Sequence, residues 1–167
     1  GDYFSIGDDN AYTTNALTAP NLGTQLEAAG LTWKSYQQSL PYAGYLGTEY
    51  PSSNPLYASK HNPFLNFTGT QGALADMVPD TQLASDLTTG NLAAFSMIVP
   101  DQCHDMHGTG GCPADLIAAG DTYVGNTVNL IMASKSWQQG RNAIVITWDE
   151  DDFSDASLMR FSKLYMD

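Results

Sequence analysis

Ala143-Ile144-Val145-Ile146-Thr147-Trp148 runs directly into Asp149-Glu150-Asp151-Asp152. A β-branched apolar run of this length reads as a buried strand of a parallel sheet. Open α/β sheets place ligands beyond the carboxyl ends of their strands, so these acidic residues stand where a site is expected. Adjacent carboxylates repel, and a cation or a captured proton is needed to hold them together. Hard cations prefer oxygen ligands, so metal-assisted chemistry is the first expectation; a solvated acidic loop is the plain alternative.

A second strand end repeats the pattern. Ala94-Phe95-Ser96-Met97-Ile98-Val99 is a short apolar run stopped by Pro100, and Asp101-Gln102-Cys103-His104-Asp105-Met106-His107-Gly108 follows. Two of the three histidines lie here, three positions apart, with an aspartate between them. Histidine serves as acid, base, metal ligand or cationic phosphate binder near neutral pH. The third is in Lys60-His61-Asn62-Pro63-Phe64. Pro63 turns Asn62 away from helical backbone, so His61 is expected in an extended or turn segment, where Lys60 and His61 together suit an anion.

The rest of the chain alternates helix and strand signals. Pro20 to Gly30 carries Leu22, Leu26 and Ala29 at helical spacing, with Gly30 as a stop. Leu31 to Tyr36 reads as a strand, and Pro41 to Pro55 as a loop rich in Tyr, Gly, Ser and Pro. Asp80 to Thr88 reads as a helix with Asp80 as N-cap. Residues 94–99 read as a strand. Asp121 to Trp137 reads as one helix with Val124, Val128, Ile131 and Met132 on a face; Gly140 ends it and 143–148 form the next strand. The expected fold is α/β, a mostly parallel central sheet flanked by helices in a single domain over 1–167.

Composition narrows the partners. The 167 residues carry 18 acidic and 6 basic side chains, a formal charge of −12. That balance argues against nucleic acid or anionic lipid bound through bulk electrostatics. No apolar stretch is long enough to span a membrane. Oligomeric state is not legible. Cys103 and Cys112 share a loop with Gly108, Gly110 and Gly111, which folds back easily. A disulfide is expected there, closing the loop for roughly 2–3 kcal/mol and implying an oxidising, secreted or periplasmic setting. A zinc site of Cys103, His104, His107 and Cys112 is the competing reading, although its spacing matches no standard finger. Asn66-Phe67-Thr68 is a glycosylation sequon in a eukaryotic secretory cell.

Taken together, Lys60-His61-Asn62-Pro63-Phe64, Val99-Pro100-Asp101 with Asp105-Met106-His107, and Thr147-Trp148-Asp149-Glu150 resemble the phosphoesterase family of secreted acid phosphatases and bacterial phospholipases C, within the alkaline-phosphatase superfamily. Weaker agreement runs through Gly1-Asp2-Tyr3-Phe4, Leu31 to Tyr36 and Leu40-Pro41-Tyr42, so the resemblance covers most of 1–154. It implies an alkaline-phosphatase-like sheet and a phosphate ester substrate, with the acid phosphatase branch nearer. Asp149 and Glu150 inherit the metal site, for a divalent ion such as calcium, magnesium or zinc. His61 and His107 face the substrate phosphate with Lys60 nearby, neutralising charge or protonating the leaving oxygen. Asp105 orients His107. His104 inherits no role.

The departures matter as much. The family's Ser or Thr nucleophile lies in a Pro-Ser/Thr-x-Pro-Asn segment, and its Glu-Asn pair supplies further metal ligands; neither occurs here. Pro51-Ser52-Ser53-Asn54-Pro55 has a similar composition in the wrong order and position. The nucleophile is expected upstream of Gly1, and residues are expected to be missing near 155–156, so the chain reads as a fragment lacking the first strand. The implied enzyme hydrolyses phosphate monoesters through a covalent phosphoenzyme, and the fragment by itself is expected to be inactive. The alternatives are a non-catalytic extracellular metal-binding module on the same scaffold, and a phospholipase C.

Overall fold

A computed structural model describes residues 4, 6, 8, 10–14 and 16–148. Helix α1, Leu22–Ala28, starts from Asn21, whose side chain accepts from Thr24 N while Thr24 Oγ1 accepts from Asn21 N. It ends where Gly30, at φ +71°, donates to the Glu27 carbonyl and Leu31 donates to that of Leu26. This paired closure favours glycine in the left-handed position. Strand β1, Trp33–Gln37, follows. Strands β2, Glu49–Tyr50, and β3, Tyr57–Ala58, form a small antiparallel pair. β2 lies inside the stretch expected to be loop throughout. After 3₁₀ turns at Ser59–His61, Pro63–Asn66 and Leu74–Asp76 come strand β4, Met77–Pro79, and helix α2, Gln82–Thr89. Strand β5, Phe95–Val99, leads to helices α3, Leu116–Met132, and α4, Lys135–Gln138.

β4, β1 and β5 form a parallel sheet in that order, with Ser35 opposite both Met77 and Met97. The expected parallel α/β architecture is present. The strands are covered on both faces, and their side chains alternate accordingly. Trp33 stacks on Phe64 at 4.2 Å between centroids; with Leu65 and Met77, and Phe95 and Met97 packed alongside, they fill one side. Tyr36, Val78, Leu83 and Leu87, joined by Ile98 and Ile131, fill the other.

Three further sequence expectations are corrected. Residues 143–148 are not a strand: they have no assigned regular structure, and Val145 and Trp148 are 83% and 79% exposed. β-propensity takes effect through a paired neighbour, and among the described residues this run has none. The helix expected from Asp121 begins earlier because Asp115 caps it, its side chain accepting from Ala118 N at 2.9 Å. It also breaks in two, since Ser134 accepts from Trp137 N and starts α4. Asp80 is not the cap of α2. Thr81 holds that position without a side-chain bond, and the Asp80 carboxylate is engaged by the Tyr123 hydroxyl at 3.1 Å. Separately, the sequon residue Asn66 is buried: its amide donates to the Ser59 and Asn62 carbonyls and its oxygen accepts from Tyr12 N.

On the α2 side of the sheet, Lys34 Nζ and Tyr36 Oη both reach Asp86 Oδ2 at 2.8 Å. Burial by itself would raise the Asp86 carboxyl; hydrogen bonds from Lys34 and Tyr36, with the lysine's charge, outweigh it and hold the group below its ordinary value of 3.8. Truncating one partner of a buried pair strands the other. Asp86→Ala is therefore expected to lower stability by about 3 kcal/mol in urea unfolding. The depressed carboxyl also sets a sign. Between the folded and unfolded pKa the unfolded chain binds more protons, so stability rises with pH. The cluster's contribution is complete above about pH 4 and is lost as pH falls through the folded value; Asp86→Ala should flatten that acid limb.

Candidate active site

The site is built where β5 ends. Asp101 N donates to Gln38 Oε1, which ties the strand end to the residue after β1. His104 N and Asp105 N both donate to the Asp101 carbonyl at 2.8 Å, and Gly108 N closes on Gln102 O at 2.6 Å. The chain therefore turns back tightly, with Met106 at φ +76° and Gly108 at φ +84°. The Cys103–Cys112 disulfide closes the segment, as expected from the glycine-rich spacing, and it excludes the zinc reading because both thiols are consumed.

Gln102 brings the second histidine segment to this loop. Its N–H donates to Leu56 O, and its side-chain amide to Pro55 O. Residues 55–56 lead into β3 and then into the turn Ser59–His61. Asn62, 1% exposed, anchors that turn against the sheet, with Ser35 Oγ donating to its side-chain oxygen at 3.4 Å and Gln37 Nε2 donating to Ser35 Oγ at 2.8 Å. Pro63 opens the next 3₁₀ turn, so His61 sits in a turn segment as the Asn-Pro step predicts.

The result is a three-residue cluster. His61 Nδ1 lies 3.4 Å from Asp105 Oδ2, and the His61 and His107 rings are 5.6 Å apart at 58°. His107 N donates to Asp105 Oδ1 at 2.9 Å. Asp105 is thus shared: one oxygen holds the His107 backbone and the other faces His61. Asp105 Oδ2 is buried without a well-formed hydrogen bond, so the His61 contact is electrostatic rather than directional. Burial pushes the Asp105 carboxyl up; the hydrogen bond from His107 N and the two histidines pull against it. The sequence expectation that Asp105 orients His107 finds its contact through the backbone, and His61 is a partner that spacing did not show. Lys60 is half-buried and borders a cleft of about 790 Å³ also lined by Asp8, Asn10, Tyr12, Thr48 and Glu49. Neither His61 nor His107 lines that cleft, so it adjoins the cluster through the Lys60-His61 step.

Asp149 and Glu150, the expected metal ligands, lie outside the described residues. Among the described residues no three His, Cys, Asp or Glu side chains gather as a metal site.

Residues 3–158 match the Phosphoesterase family. The chain belongs to this family. It is 31% identical over 146 residues to a phosphatidylinositol-3-phosphatase of Mycobacterium tuberculosis, which covers 87% of this chain and 44% of that protein. A phosphate-repressible acid phosphatase of Penicillium chrysogenum is 27% identical over 161 residues, 91% of this chain and 36% of the relative. An acid phosphatase of Aspergillus niger is 30% identical over 115 residues, 65% and 27% of the respective chains. The chain thus spans under half the length of the curated relatives it matches. In this phosphoesterase chain His61, Asp105 and His107 come together from two segments separated by more than forty positions.

The loop's other wall is α3. A Cβ on the buried Gly120 would lie 2.6 Å from Met106 Cε and 2.8 Å from the His104 carbonyl oxygen, whereas one on Gly125 of the same helix meets nothing within 4 Å. Gly120→Ala is expected to cost about 1–3 kcal/mol by overpacking. Gly125→Ala is expected to be stabilising by up to about 1 kcal/mol, as in an open helix interior. Parallel urea titrations of the two variants check the contrast.

Proposed function

We propose that this chain provides the substrate-phosphate half of an acid-phosphatase-like enzyme acting on phosphate monoesters. The observation that carries the reading is the convergence of His61, Asp105 and His107 beyond the end of β5 in a Phosphoesterase family chain. Two imidazoles side by side present N–H donors to the oxygens of a phosphoryl group, where charge builds during transfer. One of them is also suited to protonate the departing ester oxygen. The Asp105 carboxylate, 3.4 Å from Nδ1, attracts the His61 ring electrostatically when that ring is protonated. Lys60, next to His61 in the chain and bordering the adjoining cleft, adds positive charge that suits the substrate phosphate.

Asp149 and Glu150 complete the reading as ligands of a divalent cation. Their donor set is all oxygen, which suits a hard ion. Such an ion supplies Lewis-acid activation of the nucleophile and charge neutralisation. A phosphoenzyme on a Ser or Thr belongs to the same proposal. The names of the acid phosphatase relatives support the monoester assignment. The Cys103–Cys112 disulfide supports a secreted or periplasmic location. No helix among the described residues is long and apolar enough to cross a membrane.

Titration of the chain with inorganic phosphate, followed through the imidazole NMR resonances, tests the core of the proposal. His61 and His107 are expected to move together and saturably, and either His61→Ala or His107→Ala to abolish the response. Resonances unmoved by phosphate would overturn it. For the cation, Asp149→Asn in the protein from its natural source is expected to remove chelator-sensitive phosphate release from a monoester. An unchanged rate and unchanged metal content would exclude Asp149 from the site.

A further inference from the structure

His104 has no part in the site as derived so far, yet it sits at the junction of three elements. Its Nδ1 is 2.9 Å from Asp101 Oδ1. Asp101 is 5% exposed and follows Pro100 just past the end of β5. The same Oδ1 accepts from Cys103 N at 3.1 Å, and Oδ2 accepts from Ser39 Oγ, which follows β1, at 2.6 Å. On its other side the His104 ring stacks on Tyr123 of α3, with centroids 5.2 Å apart and planes at 27°. The Tyr123 hydroxyl donates to Asp80, just after β4. His104 therefore joins the ends of β5 and β1, and through Tyr123 that of β4, to the helix that walls the loop.

Asp105 is the next residue in the chain, and Asp101 and Asp105 repel each other. A nearly buried carboxylate must have donors, or its charge is left uncompensated. His104 supplies the only side-chain donor that comes from within the loop itself, among the hydrogen bonds described for Asp101. We infer that His104 is a positioning residue: by donating from Nδ1 to Asp101 while braced on Tyr123, it sets the loop so that Asp105 and His107 meet His61. This rests on the phosphate-site reading for its purpose, but its geometry is separately measurable.

The experiment is an inter-ring nuclear Overhauser measurement between His61 and His107 in the chain and in three variants, with far-UV circular dichroism as the folding control. The unaltered chain should show the cross-peak. His104→Ala removes donor and ring and should lose it. His104→Asn places an amide N–H near the position of Nδ1 and should restore it. His104→Phe keeps an aromatic face for Tyr123 without the donor and should not. Affinity for inorganic phosphate should follow the same order, falling about tenfold in the alanine variant, as expected when a binding group is misplaced by an ångström or less. Retention of the cross-peak in His104→Ala, rescue by phenylalanine but not asparagine, or its absence from the unaltered chain would each overturn the inference. A cross-peak that behaves as expected in a chain that does not bind phosphate would uphold His104 and sink the phosphate-site reading instead.

Discussion

The central strand β1 is covered on both faces and paired on both edges, and the rest of the structure depends on that constraint. No other described strand is so placed. Its five residues therefore meet every layer of the protein. Trp33 anchors an aromatic core, Lys34 and Tyr36 lock onto α2 through Asp86, and Ser35 with Gln37 reach the turn that carries His61. Alternation by two along an extended chain separates these duties without mixing them. A one-residue slip would put Tyr36 against Asn62 and Ser35 against the apolar side of α2, so the hydrophobic and polar demands together fix the register.

The polar layer on β1 also explains how a histidine outside the sheet is held to it. A turn of three residues has little packing of its own, and its position is set by what its neighbours bond to. Asn62 and Asn66 serve that purpose from inside, binding Ser35 and the carbonyls of Ser59 and Asn62. Gln102 does so from the opposite loop. The two histidine segments are thereby fastened to each other by backbone contacts as well as by the Asp105 interaction. Preorganisation of this kind is what a site needs if its groups are not to spend binding energy on ordering themselves.

Much of this was legible in the residues. Leu22, Leu26 and Gly30 mark α1, and the apolar run stopped by Pro100 marks β5, because both signals are local. The segments that hold His61, Asp105 and His107 are legible too, and the structure brings these three residues together. What was not legible was non-local. The run 143–148 has strand composition, but pairing depends on a neighbouring edge that the run itself does not specify. Asp80 looked like a helix cap because Asp is a good cap; Tyr123, forty-three positions away, competes for its carboxylate. His104 carries no such signal either, since the ring it stacks on, Tyr123, lies on α3. Asp115, by contrast, caps α3 through a local feature legible in the sequence, an Asp directly before the helix and after the Gly and Pro of the loop.

Buried Asn66 has a consequence for how the protein can be made. Its side-chain nitrogen, the atom a glycosyltransferase would modify, is committed to two carbonyls inside the fold. The Asn66-Phe67-Thr68 triplet is therefore invisible to that machinery once the chain has folded, and exposed to it only while the chain is nascent. A sugar added then would occupy the space in which the His61 turn is anchored, so the modified chain could not close. Production in a yeast or mammalian secretory host would thus become a race between sequon capture and folding, which a bacterial periplasm without sequon glycosylation would not impose.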